Sequence, residues 1–287
     1  MTDLQAVELE ILKQFLAVCS KLNLTYYLVC GSALGAVKYG GFIPWDDDID
    51  VALPRDDYEE FCRRAPALLP DWCFLQNCRT DPQYPRLGSK LRDSRTTYIE
   101  QMSETLNINH GVFIDIFPLD GKWRTKDEER TFRKKQAEFE AARRVRLHYN
   151  RLSRENLFMF RSNMDYLLFR FFDRGGDTAA AVRSFDQYIS SFSTEQSDVW
   201  CNHANSISPL EYAPKEQYGK GAWVTFEGIR VRVPEQYDAY LTQKYGDWRA
   251  DLPPSEQIGH HYYVKCDLQR PFTEYTDITA CAKTEMK

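Results

Sequence analysis

The stretch Pro44-Trp45-Asp46-Asp47-Asp48-Ile49-Asp50-Val51, preceded by Cys30-Gly31-Ser32-Ala33-Leu34-Gly35-Ala36-Val37-Lys38, decides how this chain is read. Asp46, Asp47, Asp48 and Asp50 crowd four carboxylates together just before the apolar run Val51-Ala52-Leu53. Two like charges ~4 Å apart repel by roughly 4 kcal/mol at an effective dielectric of ~20. A divalent cation among them would turn that repulsion into attraction. On an extended strand residues i and i+2 point to the same face, so Asp48 and Asp50, with Asp46 behind them, are expected to converge on one site.

Gly31-Ser32 supplies the complementary half. It follows the apolar strand candidate Tyr26-Tyr27-Leu28-Val29-Cys30 and precedes a helix-compatible run. A small turn at a helix N-terminus leaves backbone N–H groups free to hold a phosphate. The residues alone therefore lead to a metal-dependent phosphoryl or nucleotidyl transferase. A solvated acidic loop is the bland alternative, and the Gly-Ser partner with the following apolar strand argues against it.

Working outward, Leu4 to Leu22 has apolar residues at steps of three and four (Leu4, Val7, Ile11, Phe15, Val18, Leu22), which predicts an amphipathic helix packed on a sheet. Tyr26–Cys30, Ile49–Leu53, Cys73–Gln76 and Val112–Phe117 read as strands, with a helix over Tyr58–Arg64. Ala222–Phe226 and Ile229–Val233 read as a hairpin around Glu227-Gly228, and Asp238–Tyr245 as a short final helix. Asp115, flanked by Phe113, Ile114, Ile116 and Phe117, is a charge in a strand that should be buried. Such a charge is costly unless it is paired with an opposite charge or bound to metal.

Between Lys122 and Arg174 there are 15 Lys/Arg and 8 Asp/Glu, an excess of seven positive charges in a chain of net charge −5. Gly and Pro are absent until Gly175-Gly176, and aromatic residues from Phe132 to Phe172 lie among the charges. This pattern predicts a long helix or helical hairpin, an insertion spanning 122–199 within a single catalytic domain of 1–287. Its plain reading is a solvated basic face; its sharper reading is peripheral contact with an anionic membrane that carries the acceptor.

With 287 residues and 43% hydrophobic content the chain can bury a sizeable core. Its acidic balance argues against general nucleic-acid binding. The N-terminus lacks the basic flank and apolar core of a secretory signal, and no stretch reaches the ~18 to 20 apolar residues of a membrane span. The eight cysteines are scattered. Cys73/Cys78 and Cys201/His203 lack CxxC spacing and read as buried thiols rather than zinc ligands. These features lead to an expectation of a cytoplasmic protein, with the inner face of the membrane as its place if the basic segment docks there.

Gly31-Ser32-Ala33-Leu34-Gly35-Ala36-Val37-Lys38 followed by Gly41-Phe42-Ile43-Pro44-Trp45-Asp46-Asp47-Asp48-Ile49-Asp50 resembles the LicD family, whose relatives include fukutin and fukutin-related protein. The resemblance continues through Gly111-Val112-Phe113-Ile114-Asp115-Ile116-Phe117-Pro118-Leu119-Asp120. It returns at Phe226-Glu227-Gly228, Tyr240-Leu241, Tyr245-Gly246-Asp247 and Pro253-Pro254. It implies an α+β fold, a nucleotidyltransferase-like mixed sheet flanked by helices. It also implies transfer of a phospho-alcohol from a CDP-activated donor such as CDP-choline or CDP-ribitol, with phosphocholine favoured. The acceptor would be a sugar hydroxyl of a surface glycan precursor, such as teichoic acid or lipopolysaccharide, either free or lipid-linked. Carried over position by position, Asp48 and Asp50 match the metal pair, Asp46 the acidic residue before it and Asp115 the third carboxylate. These four would hold Mg²⁺ or Mn²⁺, with Asp48, Asp50 and Asp115 catalytic. Cys30 departs from the glycine that many relatives have there.

Substrate contacts are expected from Gly31, Ser32, Lys38, Lys90 and Arg92 toward phosphates, from Trp45 toward a quaternary ammonium, and from His260, in the pair His260-His261, near the C-terminal end of the site. Trp223 and Tyr262-Tyr263 stand behind Trp45 as further aromatic candidates. Alternative readings are a nucleotidyltransferase using CTP or ATP and a catalytically inactive binding scaffold.

Overall fold

The computed structural model describes residues 1–104, 106–147, 178–205, 207–259 and 261–275. The apolar stripe of the N-terminal segment forms α1 (Asp3–Leu22), which opens with a capping box. Thr2 Oγ1 accepts the Gln5 N–H at 3.2 Å, and Gln5 Oε1 accepts the Thr2 N–H at 2.8 Å. The helix ends at Asn23, whose left-handed φ of 55° closes its last turn. Ile11, Leu12 and Phe15 are fully buried, and α1 packs across the two sheet strands that carry Asp115 and Lys90.

That sheet has seven strands. Its main path runs β1 (Tyr27–Leu28), β2 (Asp50–Pro54), β6 (Val112–Gly121), β4 (Ser89–Asp93) and β3 (Cys73–Gln76). β2 and β6 are parallel and the other pairs antiparallel, so the sheet is mixed. β7 (Val199–Cys201) pairs with the end of β6 and with β8 (Tyr212–Pro214). Two small pairs complete the strands: β5 (Thr97–Glu100) with β11 (Tyr263–Asp267), and the hairpin β9 (Ala222–Phe226) with β10 (Ile229–Val233).

α2 (Cys30–Lys38) links β1 to β2, and α3 (Arg55–Arg64) follows β2. α4 (Lys126–Leu147) and α5 (Thr178–Ile189) pack on each other, while α6 (Lys215–Tyr218) and α7 (Tyr237–Tyr245) lie beside α2 and the end of the sheet. Seven α-helices thus flank the strands among the described residues, and the fold is α+β as expected. No described helix is long and apolar enough to cross a membrane.

The strand expected over Tyr26–Cys30 stops at Leu28, and Cys30 already opens α2 with a φ of 52°. Its N–H donates to the Tyr240 hydroxyl at 3.2 Å, which holds this left-handed residue in place. β6 extends four residues past Phe117 and is buried throughout, because its far end pairs with β7. The helix expected in the basic segment is seen as α4; residues 148–177, with the aromatics from Tyr149 to Phe172, lie outside the described residues, as does His260.

The core joins α1, the sheet and the β9–β10 hairpin through residues such as Phe15, Leu28, Val51, Leu91, Ile116 and Phe226. A second cluster, with Phe132, Phe139, Val182 and Phe185, fastens α4 to α5.

Candidate active site

Sheet register builds the site. Asp50 on β2 lies opposite Asp115 on β6, Asp115 opposite Lys90 on β4, and Lys90 opposite Gln76 on β3. Residues directly opposite one another point to the same face, so one cross-strand row brings Asp50, Asp115 and Lys90 together. Asp48 joins them from the loop before β2. One carboxylate oxygen from each of Asp48, Asp50 and Asp115 lies within 4.8 Å of the others.

Local bonds hold this row in place. The Asp50 N–H donates to Ser32 Oγ at 2.8 Å and the Asp115 N–H to the Ile49 carbonyl at 2.8 Å. Gln5 anchors the acidic loop from α1, its Nε2 donating to the Asp46 carbonyl at 2.9 Å. Gly31 is a necessary void: a Cβ there would lie 2.8 Å from Asp46 Oδ2.

Burial and mutual repulsion set the electrostatics. Burial, followed by the charges of Asp48 and Asp115, pushes the Asp50 carboxyl well above the ordinary carboxylate value. Burial also raises Asp48, and with the help of Asp48 and Asp47 it brings Asp46 up to about 8. Lys90 is fully buried, with Nζ 3.1 Å from Asp115 Oδ2 and 3.7 Å from Glu100, and it lies over the Phe113 ring. Burial pulls its ammonium below the usual lysine value. One ammonium does not balance three converging carboxylates, and the all-oxygen donor set of Asp48, Asp50 and Asp115 fits a hard divalent cation.

The expected site residues separate into two groups. Gly31, Ser32, Asp48, Asp50, Asp115 and Lys90 are brought together. Ser32 lies in the first turn of α2, and its hydroxyl is occupied by Asp50. Asp46 was expected among the metal ligands, yet it falls outside the three-carboxylate group. The Ile43–Asp46 turn, closed by the Asp46 N–H to the Ile43 carbonyl, directs it toward Gly31, and β2 begins only at Asp50, so the alternation of a strand does not reach it.

Lys38 stands at the opposite end of α2 from Gly31. It donates to the Ala250 carbonyl at 2.8 Å and pairs with Asp251 at 2.9 Å. Arg92 is buried and engaged by Gln76, the Gly111 carbonyl and Glu100. Trp45 is half-buried edge-on to Tyr39, whereas Trp223 is half-exposed with Arg230 and Arg232 over its ring. Tyr262 and Tyr263 are largely exposed.

His261 of the His260-His261 pair, and two residues that the sequence did not single out, also face this region. His261 Nδ1 lies 3.2 Å from Asp47 Oδ1, its Nε2 3.7 Å from Asp48 Oδ2, and its backbone N–H donates to Asp47 Oδ2 at 3.1 Å. Glu100, beneath the row, is held well below the usual carboxylate range: burial opposes this, but Lys90, Arg86 and Arg92 outweigh it. Arg86, bonded to Glu100 at 3.1 Å, leads to a neighbouring cavity of about 210 Å³ that His203 and Asn205 also line. The His-His pair at 260–261 was the signal for His261; Glu100 and Arg86 carry none, since only tertiary pairing distinguishes them from surface charges.

Comparison with known proteins agrees with this architecture. The family model described as LicD/FKTN/FKRP, nucleotidyltransferase domain, matches residues 23–147, which include Gly31, the acidic run, Lys90 and Asp115. The chain is 27% identical over 275 residues to the lipopolysaccharide cholinephosphotransferase LicD of Haemophilus influenzae, covering 91% of this chain and 96% of that protein. A shorter similarity, 33% over 57 residues, joins it to an uncharacterized protein of Rickettsia typhi. The carboxylate row lies inside the segment that is similar to the LicD/FKTN/FKRP nucleotidyltransferase domain, and the similarity to the Haemophilus protein runs almost end to end.

Proposed function

We propose that this protein transfers phosphocholine from CDP-choline to a sugar hydroxyl of a surface glycan precursor, with CMP leaving. The observation that carries the reading is the convergence of Asp48, Asp50 and Asp115, one oxygen of each within 4.8 Å of the others. The near full-length similarity to a lipopolysaccharide cholinephosphotransferase supports the choice of alcohol and of acceptor class.

In the proposed reaction the acceptor oxygen forms a bond to the phosphorus that carries choline, and the bond from that phosphorus to the CMP oxygen breaks. The acceptor proton passes to a carboxylate of the row, for which Asp115 is the candidate general base. Mg²⁺ or Mn²⁺ held by Asp48, Asp50 and Asp115 would supply neutralisation of the charge on the diphosphate and the departing CMP. The protein's own groups hold this arrangement. Lys90 offsets charge behind Asp115, Ser32 fixes the Asp50 backbone, and Gly31 keeps space beside Asp46. A lipid-linked acceptor fits the basic stretch 122–174, and co-sedimentation with anionic liposomes tests it; no binding at low salt would remove the membrane contact.

Turnover assays with CDP-choline, CDP-ribitol and CDP-glycerol in Mg²⁺ test the donor, with sugar acceptors and product analysis. Release of CMP with phosphocholine on the sugar is expected. The family model's description as a nucleotidyltransferase domain favours one competing reading, in which CTP is the substrate and diphosphate the product. Diphosphate release from CTP in place of CMP release would establish that reading.

A further inference from the structure

The imidazole of His261 sits at the outer edge of the carboxylate row, between Asp47 and Asp48. Nδ1 is within hydrogen-bond distance of Asp47 Oδ1, at 3.2 Å, and the backbone N–H of the same residue also donates to Asp47. A proton on Nδ1 leaves the lone pair on Nε2, and that atom is directed at Asp48 Oδ2 from 3.7 Å. This separation is too long for a hydrogen bond. It is close to the ~3 to 4 Å between two ligands that each bind one ion at about 2.0–2.2 Å. A carboxylate that fixes one nitrogen while the other faces a cation is a recurrent metal-site arrangement.

A second observation comes from α1. Glu8 is 2% exposed, and its Oε2 has no hydrogen-bond partner among the described residues. It lies one turn beyond Gln5, on the same helix face, and Gln5 reaches the Asp46 carbonyl. Glu8 therefore faces the acidic loop, and the charges of Asp48, Asp47 and Asp46 raise its carboxyl further after burial has done so. Among the described residues, the basic side chains with the largest effect on this group of carboxylates are Lys90, already engaged by Asp115 and Glu100, His261 itself, and Lys244. A buried carboxylate oxygen without a donor, aimed at an acidic loop with so few positive charges, points to a missing cation.

We propose that Asp48 serves two cation sites: one with Asp50 and Asp115, and a second completed by Nε2 of His261, with Asp47 as the positioning residue for the imidazole and Glu8 facing the site from α1. The nitrogen ligand selects a transition metal such as Mn²⁺ over Mg²⁺ for the second site. This inference rests on the phosphotransfer reading only for the purpose of the first cation.

Electron paramagnetic resonance of the tag-free, full-length protein titrated with Mn²⁺ tests it, with electron spin echo modulation to detect a ¹⁴N nucleus coupled to the metal. Two Mn²⁺ per chain are expected, one of them coupled to nitrogen. His261→Ala should lower the count to one and abolish the nitrogen coupling. Asp115→Asn should weaken the other site and leave the coupling in place. Asp47→Ala should diminish the coupling without changing the first site. A single Mn²⁺ without nitrogen coupling in the wild-type protein, or coupling that survives in His261→Ala, would overturn the second site. In that case a Mn²⁺ signal lost in Asp115→Asn would leave the phosphotransfer reading intact, whereas no Mn²⁺ binding at all would remove both.

Discussion

At the scale of single residues, the site depends on a few groups whose neighbours leave little freedom. Asp50→Asn and Asp115→Asn are each expected to lower CDP-choline turnover by more than about 100-fold, beyond what loss of an outer metal partner commonly costs. Asp50→Asn should not lower the thermal midpoint in metal-free buffer, since it removes a charge from a repelling group, whereas Asp115→Asn should lower it, because the buried Lys90 ammonium loses its nearest partner. Steady-state kinetics beside thermal denaturation reads both effects. Gly31→Ala would bring a Cβ to 2.8 Å from Asp46 Oδ2 and displace that carboxylate; because Asp46 lies outside the three-carboxylate group, Mg²⁺ binding, measured by calorimetry, is expected to be retained along with the fold. The gathering of Asp48, Asp50 and Asp115 was legible in the sequence because four carboxylates beside an apolar run, and one inside another, demand a counter-charge. Lys38 and Arg92 were less legible. A basic side chain near a phosphate motif in sequence can end on carbonyl oxygens or inside a salt-bridge network, and here Lys38 meets Ala250 and Asp251 while Arg92 meets Gln76 and Glu100.

At the scale of elements, apolar periodicity carried most of the information. The α1 stripe, the β9–β10 hairpin and α7 appear within a residue or two of their expected bounds, since each buries a face that its own spacing defines. β4 is different. Ser89-Lys90-Leu91-Arg92-Asp93 has no apolar alternation that marks a strand, yet it lies inside the sheet with all five residues buried. Lys90 and Arg92 are compensated by partners from other strands, Asp115, Glu100 and Gln76, and Asp93 by Arg95 just beyond the strand end. Strands whose polar side chains are paired across a sheet are opaque to a reading of one segment at a time. A similar buried pair ties α3 to β6, where Arg55 donates to Asp120 through Nε at 2.6 Å and Nη2 at 2.8 Å. Arg55→Met should destabilise the protein by about 3–5 kcal/mol, because Asp120 would remain buried without its partner. Urea denaturation of the variant measures this, and a loss below about 1 kcal/mol would contradict it.

At the scale of the whole molecule, the fold concentrates negative charge at one end of a mixed sheet, which couples stability to pH and to metal. Asp46, Asp48 and Asp50 have folded-state values raised above their ordinary 3.8, so the folded chain binds more protons than the unfolded one above that pH. In metal-free buffer their contribution is fully present at low pH and is lost as pH rises from about 4 toward the value of about 8 reached by Asp46. Saturating Mg²⁺ should flatten this slope, which thermal melts across pH with and without the ion will show. The placement of α4 and α5 against each other and against the sheet was only partly legible, because a basic, Gly-free run specifies a helix but not the surface it covers. The central claim is that the carboxylate row binds a CDP-alcohol together with a divalent cation. Calorimetric titration of CDP-choline in Mg²⁺ into the wild-type protein and into the Asp48→Asn/Asp50→Asn variant tests it most directly. The account predicts saturable, Mg²⁺-dependent binding of CDP-choline that the double variant loses; binding of equal strength in the variant, or no binding in the wild type, would contradict it.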